Sequence, residues 1–235
     1  MLLEVSDLHA YYGKSHILQG VNFALPAVDI VALLGRNGSG RSTTLKSIMG
    51  LVPPASGRVA LRGVDLAGRE AHEIARHGIG YVPEERLAFP NLTVEENLEM
   101  GLQPGVEGAP RWTIEDMYNH FPRLRERRNQ NAGSLSGGEQ QMLTMCRSLL
   151  GNPLVLLVDE PTEGLAPRIV DVVAEVVMNI RAAGVAVVLV EQKMHMALRV
   201  APRVMVMGHG EIVFDGSAEE MERREDIRRE WLEVA

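Results

Sequence analysis

The sequence carries a single cysteine, Cys146, in 235 residues. No disulfide can form within the chain, and a reducing compartment is the expectation. No apolar run approaches the roughly 18–20 residues needed to cross a bilayer, so any membrane role calls for a separate spanning partner. The opening residues, MLLEVSDLHAYYGK, lack the basic start and long apolar stretch of a secretory leader, and none is expected. Aromatics are scarce at 4%, and there is no basic excess. A net charge of −7 argues against non-specific binding to nucleic acid, which demands a basic face. Repeats and low-complexity tracts are also missing. What remains is 46% hydrophobic and 23% charged, the balance of a globular chain. At roughly 100–200 residues per domain, the length fits one large domain or two lobes sharing a core.

Three short runs are apolar throughout: IVALL at 30–34, LVLLV at 154–158 and VAVVLV at 185–190. Runs without alternation predict strands buried on both faces, as in a parallel sheet covered by helices. Helix-prone segments lie between them and GIGYV at 78–82 is a fourth candidate, so the fold class is α/β with a mainly parallel sheet. LLEVSDLHAYYG, ILQGVNFAL and GRVALRG read instead as short strands with turn residues, an N-terminal antiparallel subdomain flanking the core. RVMVMGHGEIVFDG reads as a hairpin turning at Gly208 to Gly210. No strand is expected in 90–151. Thr93 and Glu96 form a capping box there, and TIEDMYNHF is helix-prone up to Pro122. Residues 89–151 therefore read as a helical lobe inserted into a core of residues 1–88 and 152–235. Ser217 and Glu220 form a second box, opening a charged helix that runs toward Ala235.

Between DIVALL and the helix-like TLKSIMG runs GRNGSGRSTT, from Gly35 to Thr44. Gly35, four residues, Gly40, a basic residue and Ser42 make the phosphate-loop spacing. The backbone N–H groups of such a loop point inward, and the helix N-terminus adds partial positive charge. Gly35, Asn37, Gly38, Ser39, Gly40, Arg41, Ser42 and Thr43 are the candidate nucleotide-binding residues. Gly38 and Gly40 allow close approach, and Ser42 offers a hydroxyl to Mg²⁺. The basic residue of this pattern is normally Lys. Arg41 keeps the charge and grips phosphate bidentately, but its planar fork is wider than an ammonium on a slim stem. Nucleotide binding follows from the loop, and the rate of hydrolysis stays open.

In LVLLVDEP an apolar strand ends in two carboxylates before Pro161. Ligands bind at the carboxyl edge of parallel sheets. Asp159 is the candidate to hold Mg²⁺ through water, and Glu160 to orient or deprotonate an attacking water. In SLSGGEQQM, Ser136 and Glu139 make a capping box. Gly137 and Gly138 are poor helix formers; the residues alone read first as an ordinary cap, with close approach of another group to the helix amides as the alternative.

LSGGEQQ resembles the signature of the ATP-binding-cassette (ABC) family. With GRNGSGRST before it and LVLLVDEP after it, order and spacing are similar to that family over essentially the whole chain. The resemblance implies a P-loop NTPase core, ATP and Mg²⁺ as ligands, and a head-to-tail pair with a second ABC ATPase subunit, homo- or heterodimeric. In that pair Ser136, Gly137 and Gly138 of each copy face the partner's phosphate loop. It implies that Tyr12 stacks on adenine, with Tyr11 competing for the role. Glu84 stands where the family most often has Gln, in the loop that senses γ-phosphate, and is a metal candidate. Gln192 stands where many members have His, and donates to γ-phosphate. PTEGLAP resembles the loop that crosses the dimer interface around Gly164 to Ala166. Trp112 and Trp231 read as packing residues, His195 as an exposed helix residue, and RLRERR as a solvated helix face. VDI at 28–30 departs from the family's Gly-Glu, which bears on the turn before the strand.

Together GIGYVPEERLAFPNLTVEENLEMGL, GLAP and VEQ look like the shorter ATPase subunit of branched-chain amino-acid importers; subunits for urea or amides look similar. This implies an ATP-driven clamp on the cytoplasmic side of the inner membrane, peripherally bound to polytopic permease subunits and not to nucleic acid. The alternatives are a regulatory ATP-binding subunit whose hydrolysis Arg41 impairs, and an ABC ATPase without a transport role.

Overall fold

The apolar runs form the interior of a six-stranded sheet, seen in a computed structural model that describes residues 1–233. Val234 and Ala235, the end of the expected terminal helix, lie outside the described residues. The chain begins β1 (Leu3–Tyr12), β2 (Ser15–Leu25), β3 (Ile30–Gly35), α1 (Arg41–Ile48), β4 (Ser56–Leu61), β5 (Val64–Asp65), α2 (Ala71–Arg76), β6 (Ile79–Val82). A helical stretch follows: α3 (Val94–Glu99), α4 (Ile114–His120), α5 (Pro122–Glu126), a 3₁₀ turn at Ala132–Ser134 and α6 (Gly137–Leu149). The chain then returns through β7 (Val155–Asp159), α7 (Pro167–Ala182), β8 (Ala186–Val190), α8 (Met194–Val200), β9 (Arg203–Gly208) and β10 (Glu211–Ser217), and closes with α9 (Ala218–Arg223) and α10 (Glu225–Trp231).

The large sheet has the order β10-β9-β3-β8-β7-β6, parallel except for β10. The smaller one, β2-β1-β4-β5, is antiparallel throughout, as the short strands with turn residues predict. Side chains leave a strand on alternate faces, and β3 shows the consequence. Ile30, Ala32 and Leu34 join one core cluster, whereas Val31 and Leu33 join the other. The first cluster continues into α3, α4, α6 and α7, and the second lies between the large sheet, α1 and the antiparallel sheet.

The capping boxes at Thr93, Ser136 and Ser217 are all formed, and so is one at Thr113 with Asp116. The helix expected up to Pro122 stops one residue earlier. A residue before proline is pushed out of the helical region; Phe121 sits at φ −131, ψ 75, and Pro122 opens α5 at its first position. Arg123 and Arg125 are exposed and paired with Glu126 and Glu115. Among the described residues of 90–151 the only β pairing is an isolated bridge, Thr93 to Asn131.

β9 and β10 turn through two residues, His209 (φ 48) and Gly210 (φ 86), both left-handed as a type I′ turn requires. This turn braces the phosphate loop, because the Gly210 N–H donates to the Ser39 carbonyl at 3.0 Å. Its outer side is covered by Trp231, which meets His209 edge-on at 5.3 Å. The indole lies so close to Gly208 that a Cβ there would stand 2.3 Å from two ring carbons. Gly208→Ala is therefore expected to cost about 1–3 kcal/mol in urea unfolding. In a Trp231→Ala background that cost should largely vanish; an equal cost in both backgrounds would refute the clash.

Candidate functional site

The helix after the phosphate loop starts without a side-chain cap. Gly40 holds the N-cap position at φ 107, no side chain bonds to it there, and no acid lies in the first turn. Thr44 N–H returns to the Gly40 carbonyl at 2.8 Å, and the amides before it have no partner within the helix. Gly35 ends β3 and is buried. At Gly38 (φ +81) a Cβ would meet nothing within 4 Å, so the loop opens there onto free space. Unpaired amides and a helix dipole beside free space make an anion site.

That space is a cleft of about 280 Å³. One wall is the loop: Asn37, Gly38, Gly40, Arg41, Ser42 and Thr43. The other is built from residues that follow β6, β7 and β8, namely Glu84, Glu160, Glu163 and Gln192. Residues 150 positions apart in sequence thus meet at the carboxyl edge of the parallel sheet, where its topology exposes ligand space.

Asp159 lies behind Ser42 and is fully buried. Its Oδ1 accepts from the Ser42 hydroxyl at 2.8 Å and its Oδ2 from the Tyr81 hydroxyl at 3.0 Å. Burial pushes its carboxyl above the usual range, and the two hydrogen bonds pull it back. Glu160, the next residue, sits at φ 41, a strained value for a side chain larger than glycine. Its N–H is held by the Val190 carbonyl at 3.0 Å. Burial raises its carboxyl pKa, and the Arg41 charge opposes the rise.

Arg41 is 4% exposed and fully engaged. Nη2 pairs with Glu160 Oε1 at 2.8 Å and donates to Asn37 Oδ1 at 3.1 Å, while Nη1 donates to the Glu191 carbonyl at 2.7 Å. The planar fork ties the phosphate loop to the ends of β7 and β8 at once, which a lysine point charge does not match.

The remaining candidates stand apart from the cleft. Tyr12 ends β1 at 50% exposure and does not line it; Tyr11 stacks on His16 with ring centroids 4.3 Å apart. Ser39 is buried with no partner for its hydroxyl, beside a second cavity of about 270 Å³ that Arg36, His209 and Trp231 also line. Ser136, Gly137 and Gly138 open α6, with Ser136 exposed and the two glycines against Arg86 and Ile169. Three site residues escaped the sequence reading: Tyr81, Glu163 and Glu191. A hydroxyl-tipped ring in the otherwise apolar run GIGYV was a usable signal for Tyr81. Glu191 acts through a backbone carbonyl, which has no signal in sequence.

With this geometry in view, comparisons with known proteins agree with one another. A family model described as ABC transporter matches residues 18–163. The chain is similar to the high-affinity branched-chain amino acid transport ATP-binding protein BraG of Pseudomonas aeruginosa, at 39% identity over 98% of this chain and 99% of BraG. It is 35% identical to the probable branched-chain amino acid transport ATP-binding protein LivF of Archaeoglobus fulgidus, over 97% of each chain. Its fold is similar to that of a nucleotide-free ATP-binding cassette from an ABC transporter, with a TM-score of 0.81, 27% identity, and 94% and 93% of the two chains covered. Among the described residues no helix is long and apolar enough to cross a membrane. The chain belongs to the ABC transporter family, and it is an ATPase of that family.

Proposed function

We propose that this chain binds ATP with Mg²⁺ in the cleft and drives an importer of branched-chain amino acids or a related small polar solute from the cytoplasmic side of the inner membrane. One observation carries the reading: the free amides of α1, the Ser42–Asp159 pair and Glu160 converge on one space. The amides from Gly38 to Thr43, with Arg41, hold the phosphates. The Ser42 hydroxyl and the Asp159 carboxylate, with Glu84 across the cleft, are hard oxygen donors suited to magnesium. Among the described residues no group of three or more His, Cys, Asp or Glu could enclose a metal; a magnesium shared with phosphates and water needs only one or two carboxylates. When bound, the metal neutralises charge on the phosphate oxygens. Glu160 takes the proton of the attacking water once Arg41 releases it, and Gln192 donates from the end of β8.

One chain leaves this site open. Ser136, Gly137 and Gly138 belong to a helix start outside the cleft, and in the proposed dimer they close the partner's site. Tyr12 supplies the adenine face from its exposed position. Residues 89–151 act as the helical signature lobe, and polytopic permeases dock on the chain. The solute class rests on the likeness to BraG and LivF. A second reading, an ATP-binding subunit with throttled hydrolysis, is favoured by the Arg41–Glu160 ion pair, which occupies the base.

Glu160→Gln should lower phosphate release by the assembled transporter by about 10²–10⁴-fold and leave an ATP-bound dimer visible by light scattering. An unchanged rate would remove Glu160 as the base. Arg41→Lys separates the two readings. Little change in turnover is expected under the first, whereas a rise of about tenfold, or 1.4 kcal/mol off the barrier, would favour the throttled subunit. In vesicles holding the chain, its partner ATPase and the permeases, ATP should drive leucine, isoleucine or valine uptake; uptake of none of them would discard the solute assignment.

A further inference from the structure

Tyr81 stands between two spaces. Its strand, β6, is the edge of the large sheet and pairs with β7, where Tyr81 lies opposite Leu157. The hydroxyl reaches past the strand end and donates to Asp159 Oδ2 at 3.0 Å. Ser42 takes the other oxygen of the same carboxylate at 2.8 Å. Each oxygen of this fully buried acid therefore has one hydroxyl donor, from two different elements. On its other side Tyr81 lines a groove of about 750 Å³, together with His72, Arg76, Val106 and Pro153. Its carbonyl accepts from the Ser148 hydroxyl of α6 at 2.8 Å.

We infer that Tyr81 is a positioning residue for the metal carboxylate: its hydroxyl fixes the rotation of Asp159 so that the opposite oxygen stays directed at Ser42 and the cleft. The inference rests on the proposed reading of Asp159 as the carboxylate that holds magnesium. A carboxylate on its χ2 axis has a broad, roughly two-fold preference, so something outside the side chain must fix its angle. Ser42 alone cannot fix it, because its hydroxyl is also the group offered to the metal. When that hydroxyl turns to a cation, the Tyr81 bond remains.

The test is the magnesium dependence of nucleotide affinity in the full chain, measured calorimetrically with a non-hydrolysable β,γ-imido ATP analogue in Mg²⁺ and in EDTA. Wild type should bind more tightly with Mg²⁺. Tyr81→Phe should bind like wild type in EDTA but lose about tenfold of the gain from Mg²⁺, the loss of one hydrogen bond to a charged group. A ring that serves only packing would lower both affinities together, or neither, and either result overturns the inference. A wild-type protein indifferent to Mg²⁺ would instead remove the metal reading of Asp159, and the inference with it. Asp159→Asn provides the second comparison and removes the buried charge that Tyr81→Phe leaves short of a donor. If Tyr81 acts through Asp159, adding Tyr81→Phe to Asp159→Asn changes neither titration. A further loss in the double variant overturns the proposal, even if Tyr81→Phe alone does not fold.

Discussion

A helix that begins without a cap leaves amide dipoles that only something outside the chain can satisfy. In this protein α1 begins that way beside the cleft, and the ends of the neighbouring strands are arranged around its open end. The turn before it, residues 36–40, ends in Gly40, and no side chain caps the amides. Behind it the β9–β10 turn bonds to the Ser39 carbonyl and fixes the loop from the side away from the cleft. The parallel sheet delivers the ends of β7 and β8 to the same edge. An ordinary cap at Gly40 would stabilise the helix by about 1 kcal/mol and would occupy the amides that the proposed function assigns to phosphate.

Charge in the cleft is offset only in part by the buried Arg41. Arg41 faces Glu84, Glu160 and Glu163 across a small space. A buried ion pair is costly to form, and it persists only when its remaining donors and acceptors are bonded. Asn37 and the Glu191 carbonyl meet that condition for Arg41. The pair also has an exchange built into it. A phosphate oxygen offered to the same guanidinium replaces one anion with another, so Arg41 keeps its compensation while Glu160 is released. Glu160 then sits buried and strained at φ 41, and desolvation that raises a carboxyl pKa makes a better proton acceptor. In the proposed function, arrival of substrate and activation of the base are thus one electrostatic step.

What the sequence made legible was local or short-range. The spacing from Gly35 to Ser42, the two carboxylates ending LVLLV, the unbroken apolar runs and the capping boxes at Thr93, Ser136 and Ser217 each follow from neighbours within a few residues, and the structure has them. The box at Thr113 was overlooked because its third residue is Asp, not the usual Glu or Gln. The partners of Arg41 and Asp159 could not be read. Arg41 and Glu191 are 150 residues apart, and Tyr81 and Asp159 are 78 apart. Pairing at that range depends on strand order, which no single-sequence pattern encodes. The packing of Trp231 on Gly208 was half visible: the ring was read as a packing residue, but not the surface it covers.

The proposed sharing of the site between two chains and the groove beside Tyr81 meet in α6. This helix of 13 residues is about 20 Å long at 1.5 Å per residue. Its first turn carries Ser136 to Gly138 at the surface, outside the cleft of its own chain. Its last turn carries Ser148, bonded to the Tyr81 carbonyl, beside the groove. A hydrogen-bonded helix of this length moves as a unit, and its buried face is packed against the large sheet through Leu143 and Leu149. Its last turn thus meets β6, the strand that carries Tyr81 and leads on to Glu84 in the cleft. In the proposed function, the helix whose start completes a neighbouring site also bonds to the strand that carries Tyr81.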